Sequence, residues 1–257
     1  MMKSDYQHIN ILVIGDSCDD VFIYGHVYRL APEGPVPIFN PFESKTNGGM
    51  ASNVKANILA IGANVNLITQ DEHIVKTRYA DARTNSLLLR VDTNDNSSCI
   101  SREIIKFIKN NFYENIKYDA IIVSDYCKGF LSEDDIEYIS SHNTNVFLDT
   151  KKLLGKWCKN VSFIKINHTE FDRTKHTINR LNILDKLIIT RSDEGCEFNN
   201  VLYPVEKVNI KDVSGAGDTF ISALVCEYIR TNSISEAIKF AQYCATIVVQ
   251  KKGVCTI

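Results

Sequence analysis

The string DVSGAGDTF, residues 212–220, sets two glycines around an alanine directly ahead of an aspartate. Residues 205–210 before it alternate apolar and polar types as a strand does, and residues 216–230 after it repeat apolar types at helical spacing. Gly215 and Gly217 therefore stand at a strand-to-helix joint, where glycine permits a tight turn and removes the Cβ that would hold a ligand off. The first amides of a helix have no internal acceptor, so Gly215, Ala216 and Gly217 outline a seat for an anion. A carboxylate in that seat repels a phosphate unless its task is to take a proton from the attacking group, which is the chemistry that Asp218 suggests. The same residues also suit a plain helix start, with glycines closing a turn and the aspartate complementing the helix dipole.

Other polar clusters follow apolar runs. GDSCDD at 15–20 brings Asp16 and Asp20 to the end of a run at 9–14, and GGMASN at 48–53 adds Gly48, Gly49 and Asn53. Together they make a pocket able to accept and donate hydrogen bonds to a polyol, although either aspartate alone equally suits a turn. SDYCKG at 124–129, with Asp125, and then DTKK at 149–152, INHTEF at 166–171 and ITRSDEG at 189–195 each follow a strand-like run. Open α/β sheets gather ligands at the carboxyl ends of their strands, where all of these clusters fall.

Several classes are excluded. The third position after Gly217 is Phe220, so the dinucleotide fingerprint fails, and no G-x-x-x-x-G-K-[ST] occurs. With 29 basic against 31 acidic residues, nothing draws the chain toward nucleic acid or membrane, and no apolar run approaches a membrane span. The eight cysteines form no C-x-x-C pair and the histidines no H-E-x-x-H, so metal ligation by cysteine or histidine is not expected. With no signal peptide read ahead of them, free thiols in a reducing cytoplasm are expected.

The elements that must position these residues are legible as rhythm. Strands at 9–14, 64–69, 120–124, 146–149, 162–166 and 186–190 alternate with helices at 48–62, 101–115, 132–141, 216–230 and 234–251. That order implies a mainly parallel sheet with helices on both faces, within one α/β domain spanning residues 1–257. Segments near 21–28, 36–39, 74–79 and 87–91 alternate instead, as strands exposed on one face do. They must form a small sheet lying against the main one, a lid drawn from about 21–40 and 73–92.

DVSGAGDTF and the GDSCDD and GGMASN pair resemble, in the right order, the two signatures of the ribokinase-like (PfkB) carbohydrate kinases. YGHVYRLAPEGPVPIF at 24–39, HIVKTRY at 73–79 and LLLRVD at 87–92 resemble the D-glycero-D-manno-heptose-7-phosphate kinases within that family. The resemblance implies a ribokinase-like fold with a β lid, using ATP and Mg2+. Asp218 would be the base beside an anion hole at Gly215, Ala216 and Gly217, and Asp16, Asp20, Gly48, Gly49, Asn53 and Asp125 would hold the sugar. Lys151, Asn167, Glu170, Thr190, Ser192 and Gly195 would serve the nucleotide, with Asn167 and Glu170 acting on Mg2+ through water. Lys76, Arg78 and Arg90 would grip the sugar's own phosphate, or else simply form a solvated face. Lids in this family often pair, so a homodimer is expected. Nothing resembling an adenylyltransferase half follows, giving a stand-alone kinase.

The chain departs from the family in three places. Few residues separate 69 from 74, where the family has a helix and a further strand. Thr150 replaces a usual proline, and Ser214 a usual threonine. The alternatives are a kinase of the ribose or fructose class, or a catalytically silent sugar-binding homologue.

Overall fold

The computed structural model describes residues 3–84, 86–108, 112–113 and 116–257. In chain order the first half holds β1 (Asn10–Gly15), β2 (Ser17–Leu30), β3 (Pro37–Met50), α1 (Ala51–Ile61), β4 (Asn64–Ile68), β5 (Val75–Asp81), β6 (Leu87–Thr93), α2 (Arg102–Ile108), β7 (Phe112–Tyr113) and β8 (Ile116–Lys117). The second half holds β9 (Ala120–Asp125), α3 (Glu133–His142), β10 (Val146–Thr150), β11 (Phe163–Asn167), α4 (His168–Leu181), β12 (Leu187–Thr190), β13 (Cys196–Phe198), β14 (Val201–Tyr203), α5 (Ala216–Thr231) and α6 (Ile234–Val248).

The unbroken apolar runs of β1 and β9 are buried on both faces, as strands at the centre of a covered parallel sheet must be. Ile11 and Val13 pack with α1, α5 and α6, while Leu12 and Ile14 pack with α2, α3 and α4 on the other side. The eight strands run in the order β14-β13-β12-β11-β10-β9-β1-β4. All neighbours from β12 to β4 are parallel, and β13 and β14 add an antiparallel edge. This is the ribokinase-like arrangement expected from the sequence. Among the described residues no helix is long and apolar enough to cross a membrane.

Two expectations need correction. The helix expected at 101–115 ends at Ile108, and Phe112–Tyr113 pairs antiparallel with Ile116–Lys117, as aromatic and β-branched types favour. Residues 109–111, 114 and 115 of that expectation lie outside the described residues. Residues 205–210 form no strand either. The pairing stops at Tyr203, where Pro204 has no amide to donate, and the next residues wall a cleft.

A second, four-stranded sheet has the order β3-β2-β5-β6. Its strands β2 and β3 are 14 residues each and run back into the base of the site, so Asp20, Gly48 and Gly49 are strand residues. Helix α1 accordingly begins at Ala51 instead of residue 48. Register then sorts the faces: Asp20 pairs with Lys76, Phe22 with Arg78, Arg78 with Arg90, and Lys76 with Asp92. Paired residues share a face, so Lys76, Arg78 and Arg90 lie on one side of this sheet with the buried Phe22 and Tyr24.

Where the family's extra helix and strand are missing, residues 69–74 carry β4 into β5. Gln70 secures this short path. Its amide nitrogen donates to the carbonyls of Ser17 (2.7 Å) and Glu72 (3.2 Å), and its amide oxygen accepts from the Ser17 amide at 3.0 Å.

Candidate active site

Asp218, in the first turn of α5, is almost fully buried. The Asn53 side chain of α1 donates to Asp218 Oδ2 at 2.9 Å, and the Tyr126 hydroxyl, just after β9, donates to Oδ1 at 2.7 Å. Burial pushes this carboxyl up to about 6, against the lowering effect of those two donors, and the Asp149 carboxylate adds to the rise while Lys165 opposes it. A carboxylate so placed is ionised at neutral pH yet basic enough to take a proton.

The turn before it follows from its glycines. Gly215 has φ 79°, and a Cβ there would stand 2.5 Å from Asn53 Nδ2, so a side chain would dislodge a donor of Asp218. At Gly217 a Cβ would stand 2.8 Å from Lys165 Nζ. The Ala216 amide is spent on the Val213 carbonyl at 3.2 Å. Of the expected donors, the amides of Gly215, Gly217 and Asp218 remain for an anion, with the Lys165 ammonium beside Gly217. Lys165 is itself nearly buried and paired with Asp149 Oδ2 at 2.7 Å.

On the lid side, Asp16 Oδ2 accepts from the amides of Tyr126 (2.7 Å) and Lys128 (3.2 Å). Its Oδ1 is buried without a partner among the described residues, as are the hydroxyls of Ser17 and Ser124. These orphaned polar atoms suit a ligand rich in hydroxyl groups. Gly49 makes room, since a Cβ there would meet Asp20 Oδ2 at 2.4 Å. Asp20 forms an ion pair with Arg78, whose guanidinium also lies over the Phe22 ring. Lys76 is buried near the Tyr126 ring, and burial lowers its ammonium below the ordinary lysine range. Arg90 pairs with Asp92 and is more exposed. A cavity of about 330 Å³ between this sheet and residues 210–214 is lined by Arg78, Phe22 and Tyr24.

Two expected sugar ligands have other work. The Asn53 amide gives one N–H to Asp218 and accepts from Asn57 at 3.1 Å, so it holds the carboxylate and keeps one N–H and one lone pair for a ligand. The Asp125 carboxylate is consumed by Lys152 at 2.7 Å, the Thr150 hydroxyl and the Cys127 amide, a structural clasp. The Thr150 hydroxyl in that clasp gives the replacement of proline a local reason.

On the other side a cleft of about 560 Å³ brings together Lys151, Asn167, Thr190, Ser192, Gly195, Ala216 and Gly217. Val205, Val208 and Val249 supply an apolar wall. Glu170 lies at its edge: Asn167 and Glu170 cap α4 reciprocally, each side chain accepting the other's amide at 2.8 Å, and Glu170 Oε1 accepts from Lys151 Nζ at 2.6 Å. Those bonds leave further lone pairs on both groups, and Asp149 Oδ1 is buried without a hydrogen-bond partner among the described residues, 3.9 Å from Lys151 Nζ. An oxygen-rich, part-satisfied set of this kind fits a hydrated Mg2+ held through its water.

Sequence reasoning passed over Tyr126, Lys165 and Asp149. Tyr126 and Asp149 fall within the SDYCKG and DTKK clusters at the carboxyl ends of β9 and β10, whereas Lys165 lies in the middle of β11, where no local pattern marks it.

The profile of the pfkB family carbohydrate kinases matches residues 71–257. The chain is 27% identical over 304 aligned positions to the bifunctional protein HldE of Hydrogenovibrio crunogenus, covering all of this chain and 62% of that protein. The chain thus spans somewhat under two thirds of the length of such relatives. Among solved structures it is similar to a ribokinase from Thermotoga maritima, with TM-score 0.71 and 14% identity over 96% of this chain and 94% of that one. It is similar also to an Arabidopsis thaliana ribokinase complexed with ribose and ATP, with TM-score 0.68 and 12% identity over 95% and 94%.

Proposed function

Because the chain belongs to the pfkB family of carbohydrate kinases, we propose that it moves the γ-phosphoryl group of ATP onto the anomeric hydroxyl of D-glycero-D-manno-heptose 7-phosphate, giving the 1,7-bisphosphate. The observation that carries this reading is the placement of Asp218 between a hydroxyl-seeking pocket and a nucleotide-sized cleft, under a lid face bearing Lys76, Arg78 and Arg90.

Asp16, with its unpartnered oxygen, and Asp20 orient the sugar's hydroxyls. Asp218 accepts the proton of the attacking hydroxyl, and the amides of Gly217 and Asp218, with Lys165, meet the charge that develops on the transferred group. Lys151, Thr190, Ser192 and Gly195 line the triphosphate and base. Mg2+, when bound, neutralises phosphate charge, and Asn167 and Glu170 are the residues that would hold its water. The distal phosphate of the sugar is a dianion far from Asp218, and the lid cations answer it; an arginine fork can grip two phosphate oxygens. The chain acts as a homodimer through its lids, and as a single kinase domain.

The test is phosphorylation of a sugar panel followed by 31P NMR, with Lys76→Met, Arg78→Met and Arg90→Met alongside. The expected outcome is turnover with the heptose 7-phosphate, and a KM for it that rises at least about tenfold in one or more variants while that for ATP changes little, since a remote contact contributes uniform binding. Preference for ribose, or for a fructose phosphate, would replace the heptose assignment. Absence of any turnover would favour the silent homologue.

A further inference from the structure

Both oxygens of Asp218 carry a donor, and the donor on Oδ1 comes from a residue with no assigned task. Tyr126 follows β9, and its hydroxyl lies 2.7 Å from Asp218 Oδ1. Its backbone amide at the same time donates to Asp16 Oδ2. Its ring lies between two cations, Lys76 Nζ of the lid at 5.6 Å from the centroid and Lys151 Nζ of the nucleotide cleft at 5.2 Å. One residue thus links the lid, the acceptor pocket, the nucleotide cleft and the carboxylate between them, through its ring, its backbone amide and its hydroxyl.

We propose that Tyr126 is a positioning residue for phosphoryl transfer: its hydroxyl, opposite Asn53, fixes the Asp218 carboxylate and favours its ionised form, leaving a lone pair free for the acceptor hydroxyl. A carboxylate offers roughly four lone-pair directions, of which these donors occupy two. The direction of donation is settled chemically. Burial, followed by the nearby carboxylates of Asp218 and Asp149, holds the Tyr126 phenol well above its ordinary value, so it keeps its proton and donates. Among the described residues, the groups facing Asp218 are Asn53 from α1, Cys18 from β2, Tyr126 after β9, Asp149 from β10, Lys151 just beyond it and Lys165 from β11. Asp149 and Lys165 oppose one another, and they are paired with each other. That leaves the two neutral donors as the side chains whose removal changes the balance without adding or deleting a charge.

This inference rests on the reading of Asp218 as the base, and the experiment separates the two. Tyr126→Phe removes one oxygen and keeps the ring between its lysines. In the full chain labelled at aspartate carboxyl carbons, with Asp218→Asn locating the resonance, the Asp218 titration is expected to rise by about one pH unit in Tyr126→Phe, the size expected for a lost hydrogen bond to a charged group. The acid limb of kcat/KM is expected to rise equally, with the rate regained within a few-fold above the shifted limb. An unmoved carboxyl titration, or a rate lowered evenly at all pH values over an unmoved limb, overturns the inference. A carboxyl that moves in a protein without turnover on any sugar upholds the hydrogen bond and sinks the kinase assignment instead.

Discussion

Asp218 concentrates a conflict between folding and chemistry. Between its ordinary value of 3.8 and about 6, the folded chain holds a proton on this carboxyl that the unfolded chain has released, so its contribution to stability falls as pH rises through that window. At pH 7.5 the buried charge costs about 2–3 kcal/mol, taking about two pKa units at ~1.4 kcal/mol each. Asp218→Asn should therefore lower turnover ~10²–10⁴-fold while raising stability at pH 7.5, with the gain vanishing near pH 4. Urea denaturation at the two pH values checks this; a variant less stable than the parent at pH 7.5, or equally stabilised at both, contradicts it. The role proposed for Asp218 can be read from sequence because residue type and spacing within DVSGAGDTF are local. Its donors cannot: Asn53 lies 165 positions away in sequence and Tyr126 lies 92, and no local pattern encodes such partners.

At the scale of elements, the parallel sheet could be read from runs such as ILVI and AIIVS, because burial on both faces leaves only apolar types. The lid strands β2 and β3 extend beyond their alternating segments. Their inner halves carry Asp, Gly and Asn, types depleted in strands, and are held by cross-strand pairing over 14 residues that no propensity reveals. The shortened connection after β4 is the least legible of these elements. Gln70 replaces the missing segment with side-chain bonds to both backbone groups of the buried Ser17. Gln70→Ala should leave a buried amide and carbonyl unsatisfied and cost about 1–3 kcal/mol. A change below roughly 0.5 kcal/mol, the range of ordinary surface substitutions, would show that the junction does not depend on it.

For the whole molecule, the question is what the outer lid face meets. Strand alternation puts Ile23, Tyr79, Leu89 and Val91 opposite the face of Lys76, Arg78 and Arg90, and Leu89 is 56% exposed and Val91 41%. An apolar sheet face of this kind marks an interaction surface more often than a solvated one. A second copy of the chain satisfies it symmetrically, face against face, since each lid offers the same patch. That contact would also brace the lid cations over the acceptor pocket, which links assembly to substrate affinity. The expected result is a dimer at micromolar concentration in sedimentation velocity, converted to monomer by Leu89→Asp. That variant should keep ATP affinity and lose affinity for the sugar phosphate, because Leu89 points away from the site while its neighbour Arg90 points toward it. A parent protein that sediments as monomer, or a Leu89→Asp variant that still dimerises, would place the contact elsewhere, and the exposed edge of β4 would then be the surface to mutate.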